Sequence, residues 1–117
     1  MINPGAFNYV QIDRVVYGQP AALAVVGEAE RLGASHVFLL VGGHLNRDTD
    51  EVEKVRRALA NRFAGTFDRM PAHTPRDAVL AASEAARGAK ADLIVAFGGG
   101  SVVDAGKMIQ VCLQHGV

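Results

Sequence analysis

The amino-acid sequence predicts a doubly wound α/β domain with a mostly parallel sheet and helices on both faces. Short β-rich runs alternate with amphipathic stretches of helix length, which implies strand–helix–strand crossovers. Two of the runs, HVFLLV at 36–41 and DLIVAF at 92–97, are apolar throughout instead of alternating with polar residues. Such continuous apolarity is typical of parallel strands that are covered on both faces. The sequence therefore predicts half of a nucleotide-binding fold.

The chain begins with two short β-rich runs, at 7–10 and 14–17, which we interpret as strands. Gly18-Gln19-Pro20 then interrupts the chain and opens a helix, since proline suits a first helical turn. Gly33 is placed to end that helix. Its buried stripe follows the helical spacing and consists of Ala22, Val25, Val26, Ala29 and Leu32.

The second helix is predicted from its charges, because the acids at 48, 50 and 51 precede the bases at 54, 56, 57 and 62 and so complement the helix dipole. We expect Gly65 to end it and a weaker strand to follow at 66–70. Thr74-Pro75-Arg76-Asp77 resembles a capping box for an Ala-rich helix that stops at Gly88. A last helix is predicted from Ser101 to about residue 114. The buried stripe of the second helix consists of Val52, Val55, Leu59 and Phe63.

Composition limits the classes of function. Half of the 117 residues are apolar, which argues against intrinsic disorder. Twelve basic residues cancel twelve acidic ones, so nucleic acid and anionic membrane surfaces are not expected as main partners. The one cysteine, Cys112, excludes an internal disulfide framework and favours a reducing compartment. With neither a signal-peptide pattern nor a membrane-length apolar run visible, we expect a cytoplasmic protein.

The segment FGGGSVVDAGK at 97–107 carries the chemistry, because it joins a strand to a helix through three glycines. Glycines let the backbone approach a ligand, and the helix directs free N–H groups and its positive dipole end at the loop. This arrangement favours a phosphate or pyrophosphate at the carboxyl end of a parallel strand. A tight turn in which Ser101 caps the helix and Asp104 completes a capping box is an alternative, and both can hold together.

Two familiar phosphate-binding motifs do not fit this segment. A Walker A loop requires glycine where Ser101 stands and serine or threonine where Met108 stands. The dinucleotide fingerprint G-x-G-x-x-G, if it began at Gly98, would require glycine at Val103. A P-loop ATPase and an ordinary Rossmann fingerprint are therefore not supported.

GGGSVVDAGK resembles the GGGSxxDxxK signature of the iron-containing (group III, metal-dependent) alcohol dehydrogenase family. DRVVYG is similar to the opening strand of that family, and ADLIVAFGGGS to its strand leading into the glycine loop. FAGTFDRMPAHTP resembles maleylacetate reductases in particular. At position 104 this chain differs from those reductases, because it has an aspartate where they usually lack an acid.

The resemblance implies that residues 1–117 form a Rossmann-like N-terminal NAD(P)-binding domain, about a third of the length of the family. It also implies that Gly98, Gly99, Gly100 and Ser101 hold the cofactor pyrophosphate, while Asp104 orients the loop or contacts the cofactor. Lys107, one helical turn further, can pair with Asp104. The implied reaction is hydride transfer between NAD or NADP and a small-molecule alcohol or carbonyl substrate, and a homo-oligomer is compatible with it.

Two further positions are implied as cofactor contacts. His73 falls near a position where relatives place a cofactor-contacting polar residue, and a surface histidine before a helix cap is equally compatible. Gly43 follows the strand at 36–41, where many NAD-using relatives carry an acid that binds the adenosine ribose. A plain Gly42-Gly43 turn is the alternative. Without that acid, and with Arg47 nearby, we expect NADPH to be accepted at least comparably with NADH.

No catalytic residue and no metal ligand are expected in this chain. The histidines lack the spacing of a metal motif, and the implied iron or zinc belongs to a helical C-terminal domain beyond Val117 that this chain does not contain. Residues 1–117 alone are therefore expected to be inactive. A stand-alone, non-catalytic nucleotide- or phosphate-binding module is the rival interpretation, and a sugar-phosphate-binding domain is a third. The residues weighed as ligands are His36, His44, His73, His115 and Cys112.

Overall fold

The computed structural model describes residues 17–42, 49–69, 71, 75–98 and 100–116. Of the two strands predicted near the start, residues 7–10 and 14–16 lie outside this range. Tyr17 is described and belongs to no strand, and its side chain is exposed.

Helices and strands alternate through the described residues. The strands form one parallel three-stranded sheet, in which β1 lies between β2 and β3. A 3₁₀ turn, Ala60–Arg62, leads directly into β2. The elements in chain order are α1 Ala21–Leu32, β1 Val37–Val41, α2 Glu51–Leu59, β2 Phe63–Phe67, α3 Arg76–Gly88, β3 Leu93–Phe97 and α4 Gly100–His115.

The central strand β1 is buried along its whole length, as its continuous apolarity predicts. Its side chains alternate between two cores. Val37, Leu39 and Val41 pack with α1 and α2, whereas Phe38 and Leu40 pack with α3 and α4. A parallel sheet with helices on both faces is thereby confirmed. Burial of each such aliphatic side chain contributes about 1.5–3 kcal/mol of transfer free energy.

Helix α1 ends where the sequence predicts. Gly33 adopts the left-handed conformation (φ +70°), and its N–H donates to the carbonyl of Glu30 (3.1 Å). The predicted stripe is wrong for Leu32, whose side chain is 54% exposed. Leu32 lines a groove with Leu93 and Val95 of β3, because the last turn of α1 extends over a sheet edge that no other described strand covers.

Helix α2 buries Val52, Val55 and Leu59 as predicted. It ends earlier than expected, and Phe63 and Gly65 belong to β2 instead of the helix. The strand predicted at 66–70 is therefore displaced to 63–67. A Cβ at position 65 would lie 3.2 Å from Cε1 of Phe38, so this glycine makes room for an aromatic ring of the neighbouring strand.

Helix α3 ends at Gly88 as predicted, and Pro75 directly precedes it. The predicted cap residue, Thr74, lies outside the described residues. Helix α4 begins at Gly100, one residue earlier than predicted. No helix in the described parts of the chain is long and apolar enough to cross a membrane.

Candidate functional site

The order of the strands places a candidate site at the carboxyl ends of β1 and β3. From β1 the chain moves to β2 on one side, and it then crosses to β3 on the other side of β1. In doubly wound folds, the loops separate where the strand order reverses in this way, and ligands bind in the crevice between them.

The two strands leave the sheet side by side. Val41 and Phe97 are register partners, and the N–H of Gly42 donates to the carbonyl of Phe97 (3.1 Å). Gly42 and Gly98, the next residue after each strand, therefore stand at the same level of the sheet. The two strand ends therefore lie next to each other at the carboxyl edge of the sheet.

Gly98 has a backbone conformation that requires glycine, with φ +143°. Helix α4 begins only two residues later, at Gly100. The first N–H groups of a helix have no partner within it, and the positive end of the helix dipole lies beside them. Such a helix end at the carboxyl edge of a parallel sheet can hold a phosphate group of a ligand.

Val102 is buried in the core directly beside Gly98, a position that the sequence analysis did not single out. Its side chain is 6% exposed. A Cβ built on Gly98 would lie 2.9 Å from Cγ2 of Val102, and a Cβ built on Gly42 would lie 3.7 Å from the same methyl group. The signal in the sequence was an apolar residue in the first turn after a glycine loop, which by itself indicates only a core position.

Four of the predicted site residues fall within the described chain. Gly98 lies at the crevice, and Gly100 and Ser101 belong to the first turn of α4. Ser101 is thus inside the helix and not in the cap position before it. Asp104 follows one turn later and is exposed. Gly99, Gly43 and His73 lie outside the described residues.

Lys107 does not pair with Asp104, since no ion pair joins these two described residues. Lys107 instead lines a cavity of about 430 Å³ between α4 and the edge of β3, together with Ile94 and Ala96. Neither Gly42 nor Gly98 lines this cavity. It lies along β3 and α4.

The opposite, amino edge of the sheet carries an acid that the sequence analysis did not single out. The carboxylate of Asp92 accepts hydrogen bonds from the N–H of Ser35 (2.9 Å), the hydroxyl of Ser35 (3.1 Å) and the N–H of His36 (2.9 Å). The bond from the Ser35 N–H is the largest cause that holds the pKa of Asp92 below its usual value. Asp92 therefore fastens the turn before β1 to the start of β3.

His36 lies at this amino edge with an exposed side chain, and its Nδ1 is 3.0 Å from the hydroxyl of Ser35. His36 therefore lies at the edge of the sheet and outside the buried core. Within the described ranges, no group of three or more His, Cys, Asp or Glu side chains is placed to hold a metal ion.

Comparison with known proteins agrees with the α/β fold. The family model described as iron-containing alcohol dehydrogenase matches residues 13–117. The chain is 36% identical over 96 residues to a maleylacetate reductase of Rhizobium sp. (strain MTP-10005), a match that covers 82% of this chain and 26% of the relative. It is 36% identical over 104 residues to maleylacetate reductase 2 of Cupriavidus pinatubonensis, covering 89% of this chain and 28% of that protein.

Solved structures show the same likeness. The crystal structure of maleylacetate reductase from Rhizobium sp. strain MTP-10005 superposes with a TM-score of 0.78 at 34% identity, covering 93% of this chain and 31% of that one. Maleylacetate reductase from Agrobacterium tumefaciens gives a TM-score of 0.77 at 30% identity, with the same coverage of 93% and 31%. The chain thus spans less than a third of the length of these relatives. It belongs to the iron-containing alcohol dehydrogenase family.

Proposed function

We propose that this chain is the NAD(P)-binding domain of an oxidoreductase of the alcohol dehydrogenase or maleylacetate reductase type. The reaction would transfer a hydride between the nicotinamide and an alcohol or carbonyl carbon of a small substrate. The observation that carries the proposal is the adjacency of Gly42 and Gly98 at the carboxyl ends of β1 and β3, with α4 beginning two residues after Gly98. Family membership supports the same assignment.

The pyrophosphate of the cofactor would bind at Gly98, Gly99, Gly100 and Ser101. The free N–H groups of the first turn of α4 supply donors for its oxygens, and the helix dipole favours its negative charge. Residue 98 offers no room for a side chain, so the backbone itself would face the cofactor there. Asp104, exposed one turn further, would orient the loop or contact the cofactor.

The adenosine ribose would lie against the segment that follows β1, which begins Gly42-Gly43. An acid there binds the ribose hydroxyls of NAD and repels the additional phosphate of NADP. Since this chain has glycine at both positions, that repulsion is absent. We propose that NADPH is used at least comparably with NADH. We also propose that His73 contacts the cofactor.

A divalent metal ion, iron or zinc, would polarise the substrate oxygen in the family reaction. From the resemblance to the family, we propose that its ligands lie in the family's helical C-terminal domain. The role of this chain is to bind and orient the cofactor. We place the reaction in the cytoplasm, in keeping with a single cysteine, and a homo-oligomer remains compatible with it.

The test is a titration of the full-length protein with NADPH and NADH, followed by cofactor fluorescence. Gly99→Val would place a side chain where the backbone touches the pyrophosphate. We expect at least tenfold weaker binding, which corresponds to about 1.4 kcal/mol. The control is Gly27→Val on α1, where an added Cβ meets no atom within 4 Å. Unchanged affinity in a folded Gly99→Val variant would remove the pyrophosphate assignment.

A further inference from the structure

Each end of β2 has a phenylalanine with an arginine stacked on its ring. At the amino end, the guanidinium of Arg56 lies 5.9 Å from the ring centroid of Phe63. At the carboxyl end, the guanidinium of Arg69 lies 5.3 Å from the ring centroid of Phe67. Such cation–π contacts attract the guanidinium to the face of the ring and so restrict where its charge lies. Arg69 is therefore held at the edge of the sheet where the candidate site lies.

The two stacked arginines differ in their charge partners. Arg56 also pairs with the carboxylate of Glu53, one turn earlier in α2. Arg69 is exposed and takes part in no ion pair among the residues that the structure describes. A guanidinium is well suited to bind phosphate, because its donors form a planar fork that matches two phosphate oxygens. Arg69 is thus a positioned cation whose charge no described acid neutralises.

The register of the sheet places Arg69 close to the level at which β1 ends. Phe67 and Leu40 are register partners, and Arg69 and Gly42 each follow their partner by two residues. The side chains of Phe67 and Leu40 belong to the core cluster on the face of the sheet that α3 and α4 cover, so the stacked guanidinium lies toward that face. Neighbouring strands are about 4.8 Å apart, which places β2 about 10 Å from β3 across β1.

We propose that Arg69 binds the 2′-phosphate of NADPH and so determines the preference of this chain between NADPH and NADH. This inference rests on the proposed function, and it adds the group that recognises the phosphate. With the diphosphate at the amino end of α4, the adenosine ribose lies across the end of β1, because β1 separates β3 from β2. Its 2′-phosphate then faces the end of β2, where the guanidinium binds two of its oxygens. NADH has a hydroxyl at this place and gains little from the cation.

The experiment is titration of the full-length protein with NADPH and, separately, with NADH, followed by cofactor fluorescence. Arg69→Gln keeps a long polar side chain and removes the charge. We expect at least tenfold weaker binding of NADPH, because charge-assisted hydrogen bonds to the phosphate are lost, and less than twofold change for NADH. Arg56→Gln is the matched control, since it removes the arginine stacked at the amino end of β2, and both affinities should stay within twofold of wild type.

Arg69→Lys separates charge from shape. It keeps the positive charge and loses the planar fork, so it should weaken NADPH less than Arg69→Gln does and leave NADH unchanged. If Arg69→Gln weakens both cofactors equally, or neither, the role of Arg69 is wrong and the cofactor site stands. A wild type that binds NADH far more tightly than NADPH would likewise overturn the inference. If wild type binds neither cofactor, the proposed function is wrong and the role of Arg69 falls with it.

Discussion

Replacing Gly98 with alanine should destabilise the protein for two separable reasons. The first is backbone strain, because an alanine held at φ +143° costs about 1–3 kcal/mol. The second is overpacking, since the new Cβ would lie 2.9 Å from Cγ2 of Val102, and such crowding costs about 1–3 kcal/mol. We expect the free energy of unfolding to fall by about 2–6 kcal/mol in total.

A second substitution separates the two contributions. In a Val102→Ala background the crowding methyl groups are gone, whereas the strained φ of residue 98 persists. The loss of unfolding free energy caused by Gly98→Ala should therefore be smaller in the Val102→Ala background, by about 1 kcal/mol or more. A difference of this size lies within the range measured for residues in direct contact. What remains in that background reports the backbone strain together with the 3.2 Å approach to Cβ of residue 102.

The assay is urea unfolding of all four proteins of the cycle, followed by far-ultraviolet circular dichroism and analysed by linear extrapolation. Gly42→Ala is the control, because its Cβ would stand at an ordinary 3.7 Å from the same methyl group. We expect the control to change stability by less than about 0.5 kcal/mol, as for substitutions free of strain and crowding. A Gly98→Ala effect equally small, or identical in both backgrounds, would refute the crowding argument.

Two further predictions concern other parts of the molecule. Asp92→Ala should lower stability at neutral pH by about 1–2 kcal/mol, a reduced value because the three hydrogen bonds lost are at an exposed site. Folding lowers the pKa of Asp92, chiefly through the hydrogen bond from the Ser35 N–H. The stability difference between wild type and Asp92→Ala should therefore be constant at pH values well above the pKa of the unfolded state, and it should decrease as the pH falls through the pKa of the folded state, because the part that depends on the charged carboxylate is lost. Thermal melts from about pH 7 to about pH 2.5 would follow this decrease, and a difference independent of pH would contradict it. Gly43→Asp should shift kcat/KM toward NADH, mainly by weakening NADPH, and a wild type that already prefers NADH a hundredfold would show that Gly43 is an ordinary turn residue.

The parts of the fold that the sequence predicts best are those in which local pattern and burial agree. All five residues of β1 are apolar and all are buried, so its continuous apolarity correctly predicted a strand that is covered on both faces. Gly33 ends α1 because a left-handed residue was needed there, and glycine is the residue that accepts this conformation most readily.

The predictions from the sequence were wrong where a contact between residues far apart in sequence determines the local structure. Phe63 fits the helical spacing of α2, yet it begins β2, because the chain leaves the helix at Leu59 and pairs with β1. Gly65 was taken as a helix terminator, whereas it accommodates the ring of Phe38, more than twenty residues away. No periodicity within the segment contains that information.

The candidate site likewise has features that the local sequence predicts and features that it does not. The glycine segment was recognisable because three consecutive glycines between a strand and a helix are a local feature. The position of Val102 and the three hydrogen bonds that Asp92 accepts could not be predicted, since each depends on which strands lie side by side. The strand order β2-β1-β3 brings residues 42 and 98 together, and only then does the shared contact with Val102 arise.

The two glycines at the ends of β1 and β3, Gly42 and Gly98, consequently differ in why they have no side chain. Gly98 is required by the fold itself, because its φ and its distance to Val102 exclude a side chain whether or not a cofactor binds. Gly42 is under no such requirement, since its Cβ would have ordinary room and the chain there adopts no left-handed conformation. Packing does not require the absence of a side chain at Gly42, and close approach of the proposed cofactor to the backbone there would account for it.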